Sequence, residues 1–289
     1  MTRTVRSALP RQGGFTLTEA IIVIVITGII AAVVAVFIRS PVRGYFDSTR
    51  RAQLSDLADT ALRRVTRDLR LALPNSVRVI SAGGSVYLEF LLTKGGGRYR
   101  AETDASGGGD VLEFASAASP YRFDVLGYMP TKPVTVGDAI AVYNLGPGFG
   151  TSDAYLGSAG NLRTVSGVSG NTITVTPAIA FPQPSPAARF HVVEHAVTYA
   201  CTPNAGDPSA GELRRYWSYP VSLAQPTTFS SGSSAVLSTG VAACSFVYNP
   251  SAVAMRNGVV SVALTLTQTS AGSRESVTLV QEVHVSNMP

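Results

Sequence analysis

The first long hydrophobic segment of the chain is nearly unbroken. Residues 15–38 have the sequence FTLTEAIIVIVITGIIAAVVAVFI, with one charged residue, Glu19. A helix rises about 1.5 Å per residue, so this segment would extend over roughly 36 Å, enough to cross the hydrocarbon core of a bilayer with some tilt. The pattern therefore predicts a membrane-spanning helix over residues 15–38.

A second, amphipathic pattern occupies residues 39–73, where apolar side chains recur at the three- and four-residue steps of one helix face. This apolar stripe consists of Leu54, Leu57, Ala58, Ala61, Leu62, Val65, Leu69 and Leu73. The charged residues fall largely on other faces: Asp56, Arg63, Arg64, Arg67 and Asp68. The stripe is shorter than the three to four heptads of a coiled coil, so we expect it to pack against a β-sheet of the same chain.

The two patterns together predict one helix from Phe15 to Leu73. Pro74 marks its end, because a proline disfavours helical backbone at the residue before it. Pro41 lies inside the helix and lacks a backbone donor, so we expect a kink there.

Beyond Pro74 the chain consists of short β-branched runs separated by Gly, Pro, Ser and Asn, a pattern typical of strands and turns. The predicted strands are residues 77–80, 86–92, 111–115, 139–143, 172–176, 191–199, 259–267 and 276–285. The last two alternate apolar and polar residues around residues 270–273, which predicts a hairpin. The glycine triplets at 95–97 and 107–109 are expected to flank one flexible hairpin loop. The predicted fold class is α+β: a long N-terminal helix packed on a mostly antiparallel β-sheet head over residues 74–289.

Composition excludes a disordered chain, because 45% of the 289 residues are apolar and only 14% are charged. The formal net charge of +5 would suit nucleic acid. Basic and aromatic residues also adjoin at 98–100 and 214–217, where they could stack on a single strand. Paired strands could equally bury Tyr216 and leave the arginines in solvent. We favour that arrangement and do not expect nucleic acid as a partner.

One motif suggests a zinc protease, the H-x-x-E-H spacing of His191, Glu194 and His195. That chemistry needs a helix, whereas this run alternates and is rich in β-branched residues. On a strand the two histidines would be about 13 Å apart, too far to share a metal ion, so we favour a strand with two surface histidines. The glycine-rich residues 146–150 lack the Lys-Ser/Thr of a phosphate-binding loop and predict a turn. We expect no catalytic site, no metal and no cofactor.

The segment before residue 15 does not fit a secretory signal peptide. Such peptides have an apolar region of about 7–15 residues with a small-residue cleavage site after it. Here the apolar run is longer, and the small residues Gly13 and Gly14 precede it. A plain single-pass anchor would also explain the apolar run, but it would not explain a carboxylate at Glu19, which is unfavourable inside a membrane.

A short basic leader precedes the apolar run, and between them lies the segment Gly14-Phe15-Thr16-Leu17-Thr18-Glu19. This arrangement resembles the processing motif of type IV prepilins. The resemblance implies that residues 1–14 are a leader, removed at the cytoplasmic face by a prepilin peptidase, and that Phe15 is then N-methylated. Loss of the leader arginines Arg3, Arg6 and Arg11 would lower the formal charge to +2. The resemblance also implies that Glu19 pairs with the terminal amine of a neighbouring subunit during assembly.

A second resemblance lies in the head. The segments at residues 194–201, 213–217, 244–248 and 283–287 are similar to the minor pilin-like MshO proteins of the mannose-sensitive haemagglutinin (MSHA) pilus, and residues 61–78 fit that family as well. The similarity to J-type pseudopilins of type II secretion is looser. These resemblances imply a non-enzymatic minor subunit, anchored in the inner membrane with a periplasmic head, that joins other major and minor pilins through the pilus assembly platform.

Two alternatives remain open: a J-type pseudopilin serving protein export, and a membrane-anchored periplasmic enzyme or binding protein. Neighbouring genes would separate the first alternative from a pilus subunit.

The two cysteines, Cys201 and Cys244, follow no metal-ligand spacing. In a cytosolic protein they would most often be unrelated thiols, whereas in an exported domain a pair more often forms a disulfide. The pilin resemblance places the head outside the cytoplasm, so we predict a Cys201–Cys244 disulfide.

Overall fold

The protein is described by a computed structural model covering residues 14–253, 257–270 and 273–289. Apart from Gly14, the predicted leader lies outside these residues. The chain divides into two compact units, one ending at Arg50 and the other comprising Arg51–Pro289. An apolar N-terminal helix and a large antiparallel β-sheet head are both present, which confirms the α+β fold class.

Helix α1 spans Leu17–Leu69, and the helical assignment continues through Pro41. Its end was predicted four residues too late. The amide of Leu73 donates to the carbonyl of Leu91 at 2.7 Å, and the amide of Thr93 donates to the carbonyl of Leu71 at 2.8 Å. The backbone after Leu69 therefore pairs with a strand rather than continuing the helix.

Twelve strands follow in the part of the chain that the structure describes, and every pairing between them is antiparallel. They are β1 Arg78–Ala82, β2 Ser85–Tyr99, β3 Tyr121–Leu126, β4 Ala139–Ala141, β5 Leu162–Ser169, β6 Thr172–Thr176, β7 Arg189–Thr202, β8 Glu212–Trp217, β9 Ser233–Thr239, β10 Val241–Val253, β11 Asn257–Ser270 and β12 Ser273–Ser286. Short 3-10 helices lie at Gly150–Ser152, Ala154–Ala159 and Pro208–Ala210. The strand predicted at residues 111–115 is wrong, since that segment has no strand assignment.

Strands β2 and β7 are long enough to take part in two different arrangements. The first half of β2, residues 86–92, pairs with the second half of β7, residues 195–201. Together with β1, β8 and β9, these two halves form an open sheet. The second half of β2 pairs with the first half of β7. From β2 the pairing also continues through β3, β6, β5 and β4 to β7, and this closes a six-stranded barrel. The β2–β7 register shifts between Leu92 and Gly95, where the open sheet passes into the barrel.

The glycine triplet at residues 95–97 lies inside β2, shortly before the loop that it was predicted to flank. A Cβ on Gly96 would lie 2.5 Å from the carbonyl oxygen of Phe190, and one on Gly97 would lie 2.8 Å from the Phe190 ring. The triplet therefore permits close packing of β2 against β7. The connecting loop begins after Tyr99 and contains residues 107–109.

The last three strands form a separate sheet in the order β10-β11-β12. The predicted hairpin is confirmed, with Val259 opposite His284 and Thr267 opposite Ser276. The two central residues of its predicted turn, Ala271 and Gly272, lie outside the described residues.

One hydrophobic core joins residues 54–69 of α1 to the open sheet and to the three-stranded sheet. The helix contributes the buried side chains Leu54, Ala58, Ala61, Leu62, Val65 and Leu69, which confirms most of the predicted stripe. Leu57 is an exception, with 54% of its surface exposed, and Leu73 packs in a separate cluster with Leu91. Asp68, which was assigned to a polar face, is only 5% exposed.

The predicted disulfide is present. It joins Cys201 on β7 to Cys244 on β10, with their Cα atoms 6.6 Å apart, and so links the open sheet to the three-stranded sheet. The bond closes a segment with a sequence separation of 43 residues. In the chain-entropy account, a loop of that length corresponds to about 3–4 kcal/mol of stabilisation.

Candidate processing and assembly site

The predicted cleavage position lies just before α1. Phe15 is 80% exposed, and a Cβ built on Gly14 would contact nothing within 4 Å among the described residues. Glycine at position 14 is therefore not required by packing within the described chain. A requirement for glycine there would have to come from another protein.

The backbone N–H groups in the first turn of a helix have no partners within the helix. At the N-terminus of α1, Thr16 acts as the cap for one of them. Its hydroxyl oxygen accepts a hydrogen bond from the amide of Glu19 at 3.3 Å. In return, the Thr16 hydroxyl makes a long contact of 3.5 Å with the Glu19 carboxylate. This T-x-x-E arrangement resembles a capping box, although Glu19 contacts the Thr16 hydroxyl rather than its backbone amide.

The capping role of Glu19 was missed in the sequence analysis, although Thr16-Leu17-Thr18-Glu19 carries the signal. Glu19 thus has two candidate roles. It can stabilise the first turn of α1, and its charge can pair with a group on another chain.

No part of the described chain buries the apolar part of α1. The most apolar 18-residue window within Leu17–Ile38 has a mean hydropathy of 3.3, and none of that window is buried. By length and composition the segment could cross a membrane. The Thr27 hydroxyl donates to the carbonyl of Val23 at 2.5 Å, so this polar group is satisfied inside the helix. Glu19 is the ionisable group of this segment, near its N-terminal end.

A family model described as the prokaryotic N-terminal methylation motif matches residues 9–35. This match supports a type IV pilin-like or pseudopilin-like protein. The matched range includes Gly14, Phe15 and Glu19, and the motif implies processing by a prepilin peptidase and assembly with other pilins. No curated protein and no solved structure matches the chain.

The second unit contains a buried ion pair that joins α1 to β8. The guanidinium of Arg215 donates to the carboxylate of Asp68 at 2.8 Å, and the Tyr199 hydroxyl donates to the same carboxylate oxygen at 2.8 Å. Burial, and then the adjacent Asp68 charge, raise the pKa of Tyr199.

The expectation that Tyr216 is buried while the arginines are solvated is wrong for Arg215, which is 5% exposed. The register shift between Leu213 and Arg214 in the β8–β9 pairing lies directly before it.

A second buried pair lies in the open sheet. Arg78 donates to Glu89 at 2.6 Å, and the Tyr219 hydroxyl donates to the other oxygen of Glu89 at 2.9 Å. Burial raises the pKa of Glu89, and the bond to Arg78 opposes that shift. Both buried pairs fix side chains of the fold and lie away from the processing motif in sequence.

The histidines of the H-x-x-E-H motif lie on β7, which confirms a strand rather than a helix. Both side chains are half-buried, however, rather than fully exposed. The Nε2 atoms of His191 and His195 are buried and have no hydrogen-bond partner among the described residues. Burial, aided by Arg189, lowers the pKa of His191 to about 4, so this imidazole is neutral at pH 7. Within the described ranges, no group of three metal-ligating side chains occurs.

Two further segments were considered as candidate binding sites, residues 98–100 and residues 146–150, and their described contacts lie within the fold. Tyr99, which was a candidate for stacking on a nucleic-acid strand, is 1% exposed in the barrel core. Arg100 pairs with Asp124 at 3.2 Å. Residues 146–149 form a turn, as predicted, and Gly150 begins the 3-10 helix that follows.

Proposed function

We propose that the chain is a minor subunit of a type IV pilus of the MSHA kind, made as a precursor, cut between Gly14 and Phe15, methylated on Phe15, and assembled through its N-terminal helix. The match of residues 9–35 to the methylation motif supports the pilin-like part of this proposal. Its MSHA part rests on the resemblance of the head segments at residues 194–201, 213–217, 244–248 and 283–287. The precursor is held in the inner membrane with its head in the periplasm, and the subunit has no catalytic activity.

The exposed apolar surface of residues 17–38 supports assembly through the helix. In the membrane this surface is solvated by lipid tails, and in a filament it packs against equivalent helices. Glu19 is the group that changes partners between these states. A charge transferred into a low-dielectric core needs an opposite charge, which the amine exposed on Phe15 of a neighbouring subunit supplies.

Substitutions of Glu19 test this role. We expect Glu19→Ala to be inserted and cleaved normally but to appear in filaments at least about tenfold less, because the partner amine is left without its counter-charge. Glu19→Asp should fall between Ala and wild type, because its side chain is one methylene shorter. The measurement compares subunit amounts in membrane and sheared-filament fractions.

Two further variants separate charge from capping. Glu19→Gln keeps a side chain suited to the third helical position but removes the charge, whereas Thr16→Ala removes the cap, worth about 1 kcal/mol, and keeps the charge. The proposal requires Glu19→Gln to assemble as poorly as Glu19→Ala, and Thr16→Ala to assemble well. Wild-type incorporation of Glu19→Gln would show that Glu19 is not a docking charge.

A pseudopilin of type II secretion is the second candidate, favoured by the same motif. Deletion of the gene distinguishes the two: loss of surface pili supports the pilus subunit, and loss of secreted proteins with intact pili supports the pseudopilin.

A further inference from the structure

A cleft of about 530 Å³ opens in the second unit between the last turns of α1 and the strands β7, β8 and β9. We call it the Trp217 cleft, and the side chains that define it are Arg64, Arg67, Lys132, His195, Arg215 and Trp217. It lies within one compact unit, far in sequence from the processing motif.

The Trp217 cleft carries a surplus of positive charge. Four of its lining residues are Arg or Lys, and two, Asp68 and Glu194, are acidic. Asp68 is already bound by Arg215 and Tyr199, and the remaining ion pairs are long: 3.5 Å from Arg64 to Asp68 and 3.9 Å from Lys132 to Glu194.

Arg67 is exposed and has no hydrogen bond or ion pair among the described residues. A concave surface with excess charge of one sign concentrates ions of the opposite sign. The planar guanidinium of Arg67 can bind a carboxylate with two parallel hydrogen bonds.

The rest of the cleft wall is apolar. Trp217 is half-buried, with the Arg215 guanidinium 4.7 Å from its ring centre, and Leu71 and Leu237 line the same space. Leu71 is 39% exposed, so apolar surface is available to a ligand. An inorganic anion would use the arginines but leave this apolar wall in water.

We propose that the Trp217 cleft binds a small organic carboxylate, with the carboxylate on Arg67 and Lys132 and an apolar ring or chain against Trp217 and Leu71. Binding pockets commonly combine apolar walls with a few charged groups that fix the orientation of the ligand. Such a carboxylate has two sources, a free organic acid or the C-terminus of a peptide. The site is independent of the pilin role proposed above.

Trp217 is the single tryptophan of the chain, so its fluorescence reports on this cleft directly. The full-length protein in a neutral detergent is titrated with cyclohexanecarboxylate, and with cyclohexanecarboxamide as the uncharged analogue. We expect a saturable fluorescence change with the carboxylate and none with the amide.

A second titration distinguishes the two sources of the carboxylate, and it uses a leucine-terminated tripeptide with a free or an amidated C-terminus. Tighter binding of the free peptide than of cyclohexanecarboxylate assigns the source to peptide termini, and the reverse assigns it to free acids.

Matched variants assign the signal to the cleft. Arg67→Gln should weaken carboxylate binding by about tenfold or more, because it removes the guanidinium bond to the anion. Arg70→Gln removes a nearby exposed arginine that does not line the cleft and should leave binding within about twofold of wild type. Absence of a saturable change in the wild type, equal responses to acid and amide, or an Arg67→Gln variant that binds like the wild type would each overturn the proposal.

Discussion

Replacement of Asp68 by alanine should lower the free energy of unfolding by about 3–5 kcal/mol, because it leaves the buried Arg215 guanidinium without its counter-charge. Both residues are 5% exposed, and the Tyr199 hydroxyl loses its acceptor as well. The measurement is denaturant unfolding of the full-length protein in neutral detergent, followed by Trp217 fluorescence.

The same helix supplies a matched control. Asp59 pairs with Arg63 at 2.6 Å, but the Arg63 side chain is 73% exposed. Exposed pairs of this spacing contribute only about 0.3–0.5 kcal/mol, so Asp59→Ala should have a small effect. The double variant Asp68→Leu/Arg215→Met, which removes both buried charges, should recover most of the stability lost in Asp68→Ala. A loss in Asp68→Ala no larger than in Asp59→Ala would contradict the prediction.

Replacement of Gly14 by valine should leave the precursor uncut. A side chain at this position meets nothing in the described structure, so insertion and folding should be normal, and the block should arise at the peptidase. Gly14→Ala should be cut partly at best. The measurement is the fraction of membrane-bound protein that keeps its leader.

Gly28→Val is the control for the Gly14 variants. A Cβ at Gly28 also meets nothing within 4 Å, and this residue lies well inside the apolar segment. Gly28→Val should therefore be cut like the wild type. Normal cleavage of Gly14→Val would show that Gly14 is not the recognised residue.

The helices and strands that could be predicted from the sequence are those determined by the pattern of apolar and polar residues close together in the chain. The period of three to four residues identified six of the buried positions of α1, and strict alternation identified the β11–β12 hairpin. The disulfide followed from the implied compartment and the presence of two cysteines. These features depend on residues close in sequence or on very few candidate partners.

The features that could not be predicted depend on distant partners. Asp68 lies three residues after Val65, beside the apolar stripe, and its burial is possible only because Arg215 reaches it from β8, 147 residues away. The barrel likewise depends on a register shift near Gly95 that lets β2 and β7 each serve two arrangements. Local periodicity contains no information about either pairing.

The N-terminal site is intermediate between these cases. The order of Gly14, Phe15 and Glu19 predicted a processing motif, and residues 9–35 match the methylation motif. The roles of the three individual residues stay predictions. The cap formed by Thr16 was also visible in the T-x-x-E spacing.

The most direct test of the proposed function is the intact mass of the protein isolated from membranes of its own host, combined with sequencing of its N-terminal peptide. The account predicts a chain that begins at Phe15 and carries one N-methyl group on the Phe15 amine. A chain that still begins at Met1, or one cut after Ala32 inside the apolar segment, would contradict it.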